Sequence, residues 1–289
     1  MRKIVLLTLS LIASSSFAAT DLQQWTLSVP IDTTGEGRSD NILENQLADG
    51  FQISPFFEKS AEGDLIFLAP ISGPKTSENT KYTRSELREM LRRGNTKIRT
   101  KGVTANNWVF STAPEADQQA AGGIDGVLEA DLSVNHVTTT GEKNQVGRVI
   151  IGQIHANDDE PIRLYYRKLP HHNKGSIYFA HEPLSGDEQW YEMIGGKSSS
   201  VAEPEDGIEL NERFSYRIEV VGNQLSTTII RNGKPDINKT IDMSKSGYDQ
   251  GGQYMYFKAG VYNQNSTGLA KDYVKATFYR IDVSHERYQ

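Results

Sequence analysis

The residues best suited to chemistry lie in one stretch near the C-terminal end, between positions 256 and 264. As a β-strand, this stretch divides its side chains between two faces, because successive side chains alternate across a strand. Phe257, Ala259 and Val261 form an apolar face, and the other face carries Tyr256, Lys258, Gly260, Tyr262 and Gln264. A cation, phenols and an amide on one face predict the floor of a groove for a polar, anionic ligand, with the glycine leaving space for it. A solvent-facing strand rich in tyrosine is the alternative.

A second polar stretch, residues 82–89, places Arg84, Glu86 and Arg88 on one face if it forms a strand. A carboxylate between two guanidinium groups would hold both arginines in fixed orientations, because arginine's planar fork binds carboxylates in a bidentate manner. Residues 85–93 also contain good helix formers with charge pairs at helical spacing. The residues alone therefore leave strand and helix open.

The third stretch, Val149–His155, is an apolar segment that ends with Gln153 and His155 on one face and Ile154 on the other. An amide beside an imidazole offers a hydrogen-bond donor next to a base. The chain has six histidines, and no pair of them shows helical metal-ligand spacing. We interpret the other histidines as surface or hydrogen-bonded structural residues. The acidic run at 158–160 has the residue types of a calcium loop, but a solvated loop is the simpler interpretation.

Short apolar segments separated by Gly, Pro, Asn and Asp clusters continue along the whole chain. Helical periodicity is confined to short pieces near 41–47 and 117–121, so the pattern predicts a sandwich or jelly roll of antiparallel sheets. Asn232-Gly233 indicates a type I′ hairpin turn. Residues 19–289 show no linker or repeat and are predicted to form one domain. The predicted loops that are candidates for groove walls span 112–123, 157–161, 169–175 and 182–206.

The N-terminus has the features of a secretory signal peptide, in the expected order. A charged start (1–3) is followed by an apolar run (4–13) and by small residues that end at Ala18 and Ala19. We predict cleavage after Ala18, so that residues 1–18 are the signal peptide and the mature protein is secreted or periplasmic. The apolar run is too short to span a bilayer, and no membrane attachment is expected after cleavage.

Composition excludes several classes of function. The chain has no cysteine, which rules out disulfides, thiolate metal sites and a cysteine nucleophile. The net charge of −6 argues against nucleic acid as a partner. There is no nucleophile-elbow, phosphate-loop or dinucleotide motif. A carboxylate pair for glycoside hydrolysis stays open among the 37 acidic residues, although no local motif indicates one.

Taken together and in order, the stretches 84–88, 153–155 and 256–264 resemble the three signature blocks of the alginate lyases of polysaccharide lyase family 7. The resemblance extends over residues 82–264. It implies an all-β jelly-roll fold, a sandwich of antiparallel sheets whose concave sheet forms the substrate groove, and it favours a strand at 84–88. The long spacing from Arg88 to Gln153 predicts an enlarged loop or an extra hairpin between the blocks.

The resemblance also implies an enzyme that cleaves the 1→4 linkage of alginate, a polymer of mannuronate and guluronate, by β-elimination. Carried over position by position, the catalytic residues are Arg88, Gln153, His155 and Tyr262. The substrate-binding residues that line the groove are Arg84, Glu86, Tyr256, Lys258 and Gln264. No metal or organic cofactor is required, and the expected partner of a monomeric enzyme is the polymer alone.

In this scheme Arg88 and Gln153 neutralise the substrate carboxylate, because removing the neighbouring C5 proton otherwise builds a second negative charge on that group. Tyr262 gives its proton to O4. Tyr262 is also the base for one epimer if Lys258 and Arg88 lower its pKa, and His155 is the base for the other. In the family, isoleucine at the position of Ile154 accompanies activity on guluronate, which predicts a preference for guluronate or mixed blocks.

Two other functions stay open at this point. The same face would serve a non-catalytic jelly-roll module that binds a polyuronate, or a lyase for another polyuronate such as glucuronan. The complete set of four candidate catalytic residues favours an enzyme, since binding alone needs no residue suited to proton transfer.

Overall fold

The computed structural model describes residues 19–286, and the predicted signal peptide lies outside them. The described part of the chain is an all-β sandwich with two short α-helices and one 3-10 helix. In chain order the elements are the 3-10 helix (Leu22–Gln24), β1 (Trp25–Val29), β2 (Asp40–Ile42), α1 (Glu44–Ala48), β3 (Phe57–Lys59), β4 (Leu65–Pro70), β5 (Arg84–Glu89), β6 (Trp108–Val109), α2 (Glu115–Ala120), β7 (Gly123–His136), β8 (Arg148–His155), β9 (Ile162–Arg167), β10 (Lys174–His181), β11 (Gln189–Ile194), β12 (Ile208–Glu209), β13 (Phe214–Val221), β14 (Gln224–Ile230), β15 (Ile237–Asp242), β16 (Tyr256–Asn263) and β17 (Tyr273–Glu286).

The strands form two sheets. Sheet A has the order β11-β10-β9-β8-β16-β5-β1-β2, with β12 beside β10. Sheet B has the order β15-β14-β13-β7-β17-β4-β3, with β6 beside β7. Neighbouring strands are antiparallel except for the short parallel pair β6–β7. The predicted sandwich of antiparallel sheets is confirmed. None of the helices within residues 19–286 is long and apolar enough to cross a bilayer.

The core lies between the two sheets, and each strand sends alternate side chains into it. In β13 the buried residues are Phe214, Tyr216, Ile218 and Val220. Fully burying a large apolar side chain contributes about 1.5–3 kcal/mol, so this alternation decides which face of each strand turns outward. The outward face of sheet A is the one that carries the polar stretches of the sequence.

Residues 84–89 form strand β5, in agreement with the strand expectation and not with the helix. The strand lies between β1 and β16, so both edges of its backbone are paired. Ser85 and Leu87 are buried on the inner side. Differences in helix propensity amount to less than about 1 kcal/mol per residue, and strand pairing with burial of Leu87 outweighs them.

Two local predictions were wrong. Residues 182–206 are not all loop, because β11 forms within them and packs Ile194 against the core. The hairpin between β14 and β15 is not a two-residue type I′ turn: the strands separate at Ile230 and Ile237, and of the Asn232-Gly233 pair only Gly233 has a positive φ. The wider turn contains Arg231, which donates hydrogen bonds to the backbone carbonyl and the carboxylate of Asp206.

The long spacing between β5 and β8 contains an irregular segment followed by several elements of sheet B. Residues 90–107 are irregular, and β6, α2 and the 14-residue strand β7 of sheet B follow. The backbone carbonyl of Thr100 accepts a hydrogen bond from Arg88 at 2.9 Å. The irregular segment therefore borders the polar face of sheet A.

A buried ion pair connects the last strand to sheet A. His285 of β17 has Nδ1 2.6 Å from the carbonyl oxygen of Asp125 and Nε2 2.7 Å from a carboxylate oxygen of Glu89 on β5. Both partners accept, so both ring nitrogens carry hydrogen and the ring is a cation. Burial lowers the pKa of His285, but the attraction of Glu89 outweighs it and the net pKa is raised.

This pair predicts that stability depends on pH. A histidine with a raised folded-state pKa contributes fully below its unfolded pKa of about 6.5, and the contribution is lost as pH rises through the folded pKa. The free energy of unfolding of the wild type should therefore fall from about pH 6 towards alkaline pH. Glu89→Gln should be less stable than the wild type by about 3 kcal/mol near pH 6, with a weaker pH dependence.

Urea unfolding at a series of pH values measures both quantities, with the exposed His171→Gln as the control. A pH dependence in Glu89→Gln equal to that of the wild type would show that the pair is not the source of the effect.

Candidate active site

The three polar stretches of the sequence are brought together on three adjacent strands, β8, β16 and β5, near the middle of sheet A. Strand β16 lies between the other two. Its register pairs are Tyr256 with His155, Lys258 with both Gln153 and Arg88, Gly260 with Glu86, and Tyr262 with Arg84. Eight of the nine predicted site residues thus occupy a single small area.

The predicted division of β16 into two faces is confirmed. Phe257, Ala259 and Val261 are fully buried in the core beneath the sheet. Gly260, however, does not leave room for a ligand. It has a φ of +133°, and a Cβ atom there would lie 2.6 Å from the Ser85 carbonyl oxygen. Glycine is needed because the backbone of β5 approaches so closely, at a point where β16 bulges relative to β8.

Glu86 is the anchor of the site. Its side chain is 1% exposed, and it accepts hydrogen bonds from Arg84 Nη1 at 2.9 Å, from the Lys258 ammonium and from the Gln153 amide. Burial raises the pKa of Glu86, but Lys258 and Arg84 more than offset it, so the net pKa is lowered. The carboxylate is therefore ionised and holds three neighbouring donors in place.

Arg88 is not part of this network, contrary to the sequence-based prediction that both arginines flank Glu86. The side of the carboxylate that Arg88 was expected to occupy is taken by Lys258 of the neighbouring strand. The Arg88 guanidinium lies 3.9 Å from the centre of the Tyr256 ring. No carboxylate of the described residues pairs with it, and its buried Nε has no hydrogen-bond partner among them. The charge of Arg88 is thus available to an anionic ligand.

Tyr262 lies below Arg84, whose guanidinium carbon is 3.7 Å from the centre of the phenol ring. Burial raises the pKa of Tyr262, and the opposing effect of Arg84 is smaller. The condition that Lys258 and Arg88 lower this pKa is therefore not met. The reason is that Lys258 is neutralised by Glu86, and Arg88 stacks on a different tyrosine. The phenol keeps its proton near neutral pH.

His155 has a defined tautomer. Its Nδ1 lies 2.7 Å from the carbonyl oxygen of Ala156, so Nδ1 carries the hydrogen and Nε2 has a free electron pair. Burial, followed by the positive charge of Lys258, lowers the pKa of His155 to about 3. The ring also stacks on Tyr256, with centroids 5.0 Å apart. His155 is therefore a neutral acceptor across the physiological range.

The remaining predicted site residue, Gln264, lies one position beyond the end of β16. It is buried, and its amide nitrogen is 3.4 Å from the carbonyl oxygen of Asn263. Its backbone is hydrogen-bonded to Arg148. The structure thus places Gln264 at the edge of the site, beside Arg148 at the start of β8, whereas His155 lies at the other end of that strand.

The polar face continues beyond the predicted residues as an aromatic surface. The rings of Tyr165 and Tyr178 stack with centroids 5.1 Å apart, and Trp190 packs against both. A cavity of about 210 Å³ adjoins the rings of Tyr178 and Trp190. Its lining consists of Asn144, Arg148, Arg167, Tyr178, Trp190, Lys197, Ser198 and Ser199.

Sequence reasoning missed this extension. A signal was present in β9, where strand alternation puts Tyr165 between Arg163 and Arg167 on the outward face. Trp190 was missed because its strand lies in a segment that was predicted to be a loop. Within residues 19–286 no group of three or more His, Asp or Glu side chains is arranged to hold a metal ion.

One face of the sandwich thus presents a guanidinium, an amide, a neutral imidazole and a protonated phenol, which are groups that can neutralise a carboxylate and take part in proton transfer. A family model described as alginate lyase matches residues 20–285. The chain belongs to this family of alginate lyases, and its sandwich is the jelly roll of polysaccharide lyase family 7.

Individual relatives agree with this assignment. An alginate lyase from Klebsiella pneumoniae is 62% identical over 274 residues, which cover 92% of this chain and 89% of the relative. The crystal structure of the alginate lyase from Klebsiella pneumoniae has a TM-score of 0.91 at 63% identity, covering 92% of this chain and 96% of that one. The structure of an alginate lyase from Pseudomonas aeruginosa has a TM-score of 0.66 at 29% identity, covering 92% and 100%.

Replacing Glu86 by glutamine tests its role as the anchor. Glutamine preserves the shape but leaves Arg84 and Lys258 buried without a carboxylate, so stability should fall by about 3–5 kcal/mol. Glu129→Gln is the matched control, because Glu129 on sheet B also binds two arginines but is 37% exposed. The control should lose less than about 1 kcal/mol. Urea unfolding measures the stability of both variants. Equally small losses of stability would mean that Glu86 is not the anchor.

Proposed function

We propose that the protein is an exported alginate lyase that cleaves 1→4 linkages of alginate by β-elimination and leaves a C4–C5 double bond at the new non-reducing end. The observation that carries the proposal is the combination of an unpaired guanidinium, a neutral imidazole and a protonated phenol on one face of β5, β8 and β16. Membership of the alginate lyase family supports the choice of substrate.

Arg88 and Gln153 neutralise the carboxylate of the sugar that loses its C5 proton. Arg88 suits this role because its charge has no carboxylate partner within residues 19–286 and because Tyr256 fixes the plane of its guanidinium. Gln153 gives one amide hydrogen to Glu86 and has a second for the substrate. These charge-assisted hydrogen bonds strengthen as negative charge grows on the substrate carboxylate in the transition state.

His155 takes the C5 proton at Nε2, and Tyr262 gives its proton to the leaving O4. The depressed pKa of His155 and the raised pKa of Tyr262 keep the first group unprotonated and the second protonated before reaction. Arg84, stacked on Tyr262, stabilises the phenolate that forms.

We also propose that the protein is exported and acts as a single chain. Residues 1–18 direct export to the periplasm or medium and are removed, and residues 19–289 act as one domain and as a monomer. Alginate is the only partner required, without metal or organic cofactor. Lys258, Tyr256 and Gln264 contact the polymer from the floor of the groove, beside Arg84 and Glu86.

Tyr262→Phe tests the proposed chemistry. The variant loses the proton that O4 needs, so turnover should fall by a factor of about 100 or more while alginate binding stays measurable. The ultraviolet absorbance of the unsaturated product follows turnover, and calorimetry follows binding. Tyr82→Phe is the matched control, because it removes a hydroxyl from the ring that packs against Tyr262 at 6.2 Å. Substantial activity in Tyr262→Phe would refute its role, and a wild type without any absorbance increase would refute the lyase.

We also propose a preference for guluronate or mixed blocks. It rests on the family tendency that accompanies isoleucine between the glutamine and the histidine. Ile154 is fully buried in the core, so it affects the substrate only through the positions of Gln153 and His155. Initial rates should be higher on guluronate-rich than on mannuronate-rich alginate, and Ile154→Val should lower that ratio. A higher rate of the wild type on mannuronate-rich polymer would contradict the preference.

A further inference from the structure

Beside His155 lies a carboxyl group that no step above uses. Glu160, in the short loop between β8 and β9, places Oε1 3.4 Å from His155 Nε2. The other ring nitrogen is already bound to the Ala156 carbonyl, so Nε2 is the atom that is free to take a proton. Both side chains are mostly buried, at 21% exposure for His155 and 17% for Glu160. The contact is therefore poorly screened by solvent.

The loop holds Glu160 firmly in this position. Its backbone carbonyl accepts a hydrogen bond from the amide of Glu182. Its Oε2 atom lies 3.3 Å from the guanidinium of Arg163 on β9. Arg163 is fixed in turn by Glu182 at 3.2 Å and by a close contact with Glu188. Glu160 thus has one carboxyl oxygen 3.3 Å from a fixed guanidinium and the other 3.4 Å from Nε2 of His155.

We propose that Glu160 is a positioning residue for His155, and that its ionised carboxylate receives the N–H of the imidazolium formed when His155 takes the C5 proton. This inference rests on the proposed lyase chemistry. The C5–H bond breaks and its electron pair becomes the new C4–C5 π bond, while the C4–O4 bond breaks and O4 takes the proton of Tyr262. The proton on Nε2 then leaves to solvent through Glu160, and solvent reprotonates Tyr262.

The same contact makes the base sensitive to pH. When Glu160 is protonated, its O–H donates to Nε2 and occupies the electron pair that the reaction needs. Burial raises the pKa of Glu160 to about 7, and Arg163 opposes this while Glu182 adds to it. The charged or titratable groups around Glu160 are His155, Asp159, Arg163, Glu182, Glu188 and Lys258, with Arg84, Tyr165, Tyr248, Tyr256 and Tyr262 at longer range.

Three variants test the inference with alginate as the substrate. Glu160→Gln should lower kcat about tenfold or more with little change in KM, and it should abolish the loss of activity below about pH 7. Glu160→Asp should restore this loss of activity at low pH, which is the acid limb of the pH–activity profile. Glu182→Gln, the matched control, removes a like charge beside Glu160 and should move the acid limb to lower pH without lowering the maximal kcat. An acid limb in Glu160→Gln equal to that of the wild type would overturn the proposal.

A measurement without turnover separates this inference from the proposed function. Nitrogen NMR of the imidazole should show a step in the His155 Nε2 shift near pH 7 in the wild type and none in Glu160→Gln. The signal is assigned by its loss in His155→Asn. A step of equal size in Glu160→Gln would refute the proposed role of Glu160, even if the protein is an active lyase. The expected NMR result would support that role whatever the substrate is.

Discussion

Glu86 places an ionised carboxylate in a position that is almost closed to water, with donors from three strands converging on it. Arg84 comes from its own strand β5, Lys258 from β16 and Gln153 from β8. A buried charge is costly unless it is paired and hydrogen-bonded, so this carboxylate requires the three strands to keep one register. The positions of the other site groups follow from that register.

The anchor also determines which charges face the substrate. Lys258 and Arg84 are held by Glu86, whereas Arg88 is held by a ring and a backbone carbonyl and keeps its charge for a ligand. Burial shifts the pKa values of His155 and Tyr262 in opposite directions. It lowers the pKa of the imidazole at 155 and raises that of the phenol at 262, because it disfavours the charged form of each. Burial therefore keeps the imidazole unprotonated and the phenol protonated, which are the forms that the proposed reaction requires.

Much of this arrangement was predictable from the sequence. Strand alternation gave the two faces of β16, and the three blocks indicated the family and placed the candidate residues. Contacts between strands were not predictable, because a local pattern does not contain the register between distant segments. Gly260 was therefore interpreted as space for a ligand, although β5 fills that space, and Arg88 was paired with Glu86, although Lys258 takes that position.

The same limit applies to Tyr262 and Glu160. The sequence shows that cations are available near the tyrosine, but not that Glu86 neutralises one of them. The acidic run at 158–160 was noted as a possible calcium loop, yet its last residue lies beside His155, because β8 ends at that histidine and the chain turns back within the loop. Burial and neighbouring charge set both pKa values, and both depend on the folded structure.

The masses of the oligosaccharides that the purified protein releases from alginate distinguish elimination from hydrolysis. Elimination breaks the linkage without adding water, so we expect chains that are one water lighter than the hydrolysis products of the same length. Products with the mass of intact, hydrolysed oligosaccharides would contradict the assignment of His155 and Tyr262 to base and acid on the Glu86-anchored face.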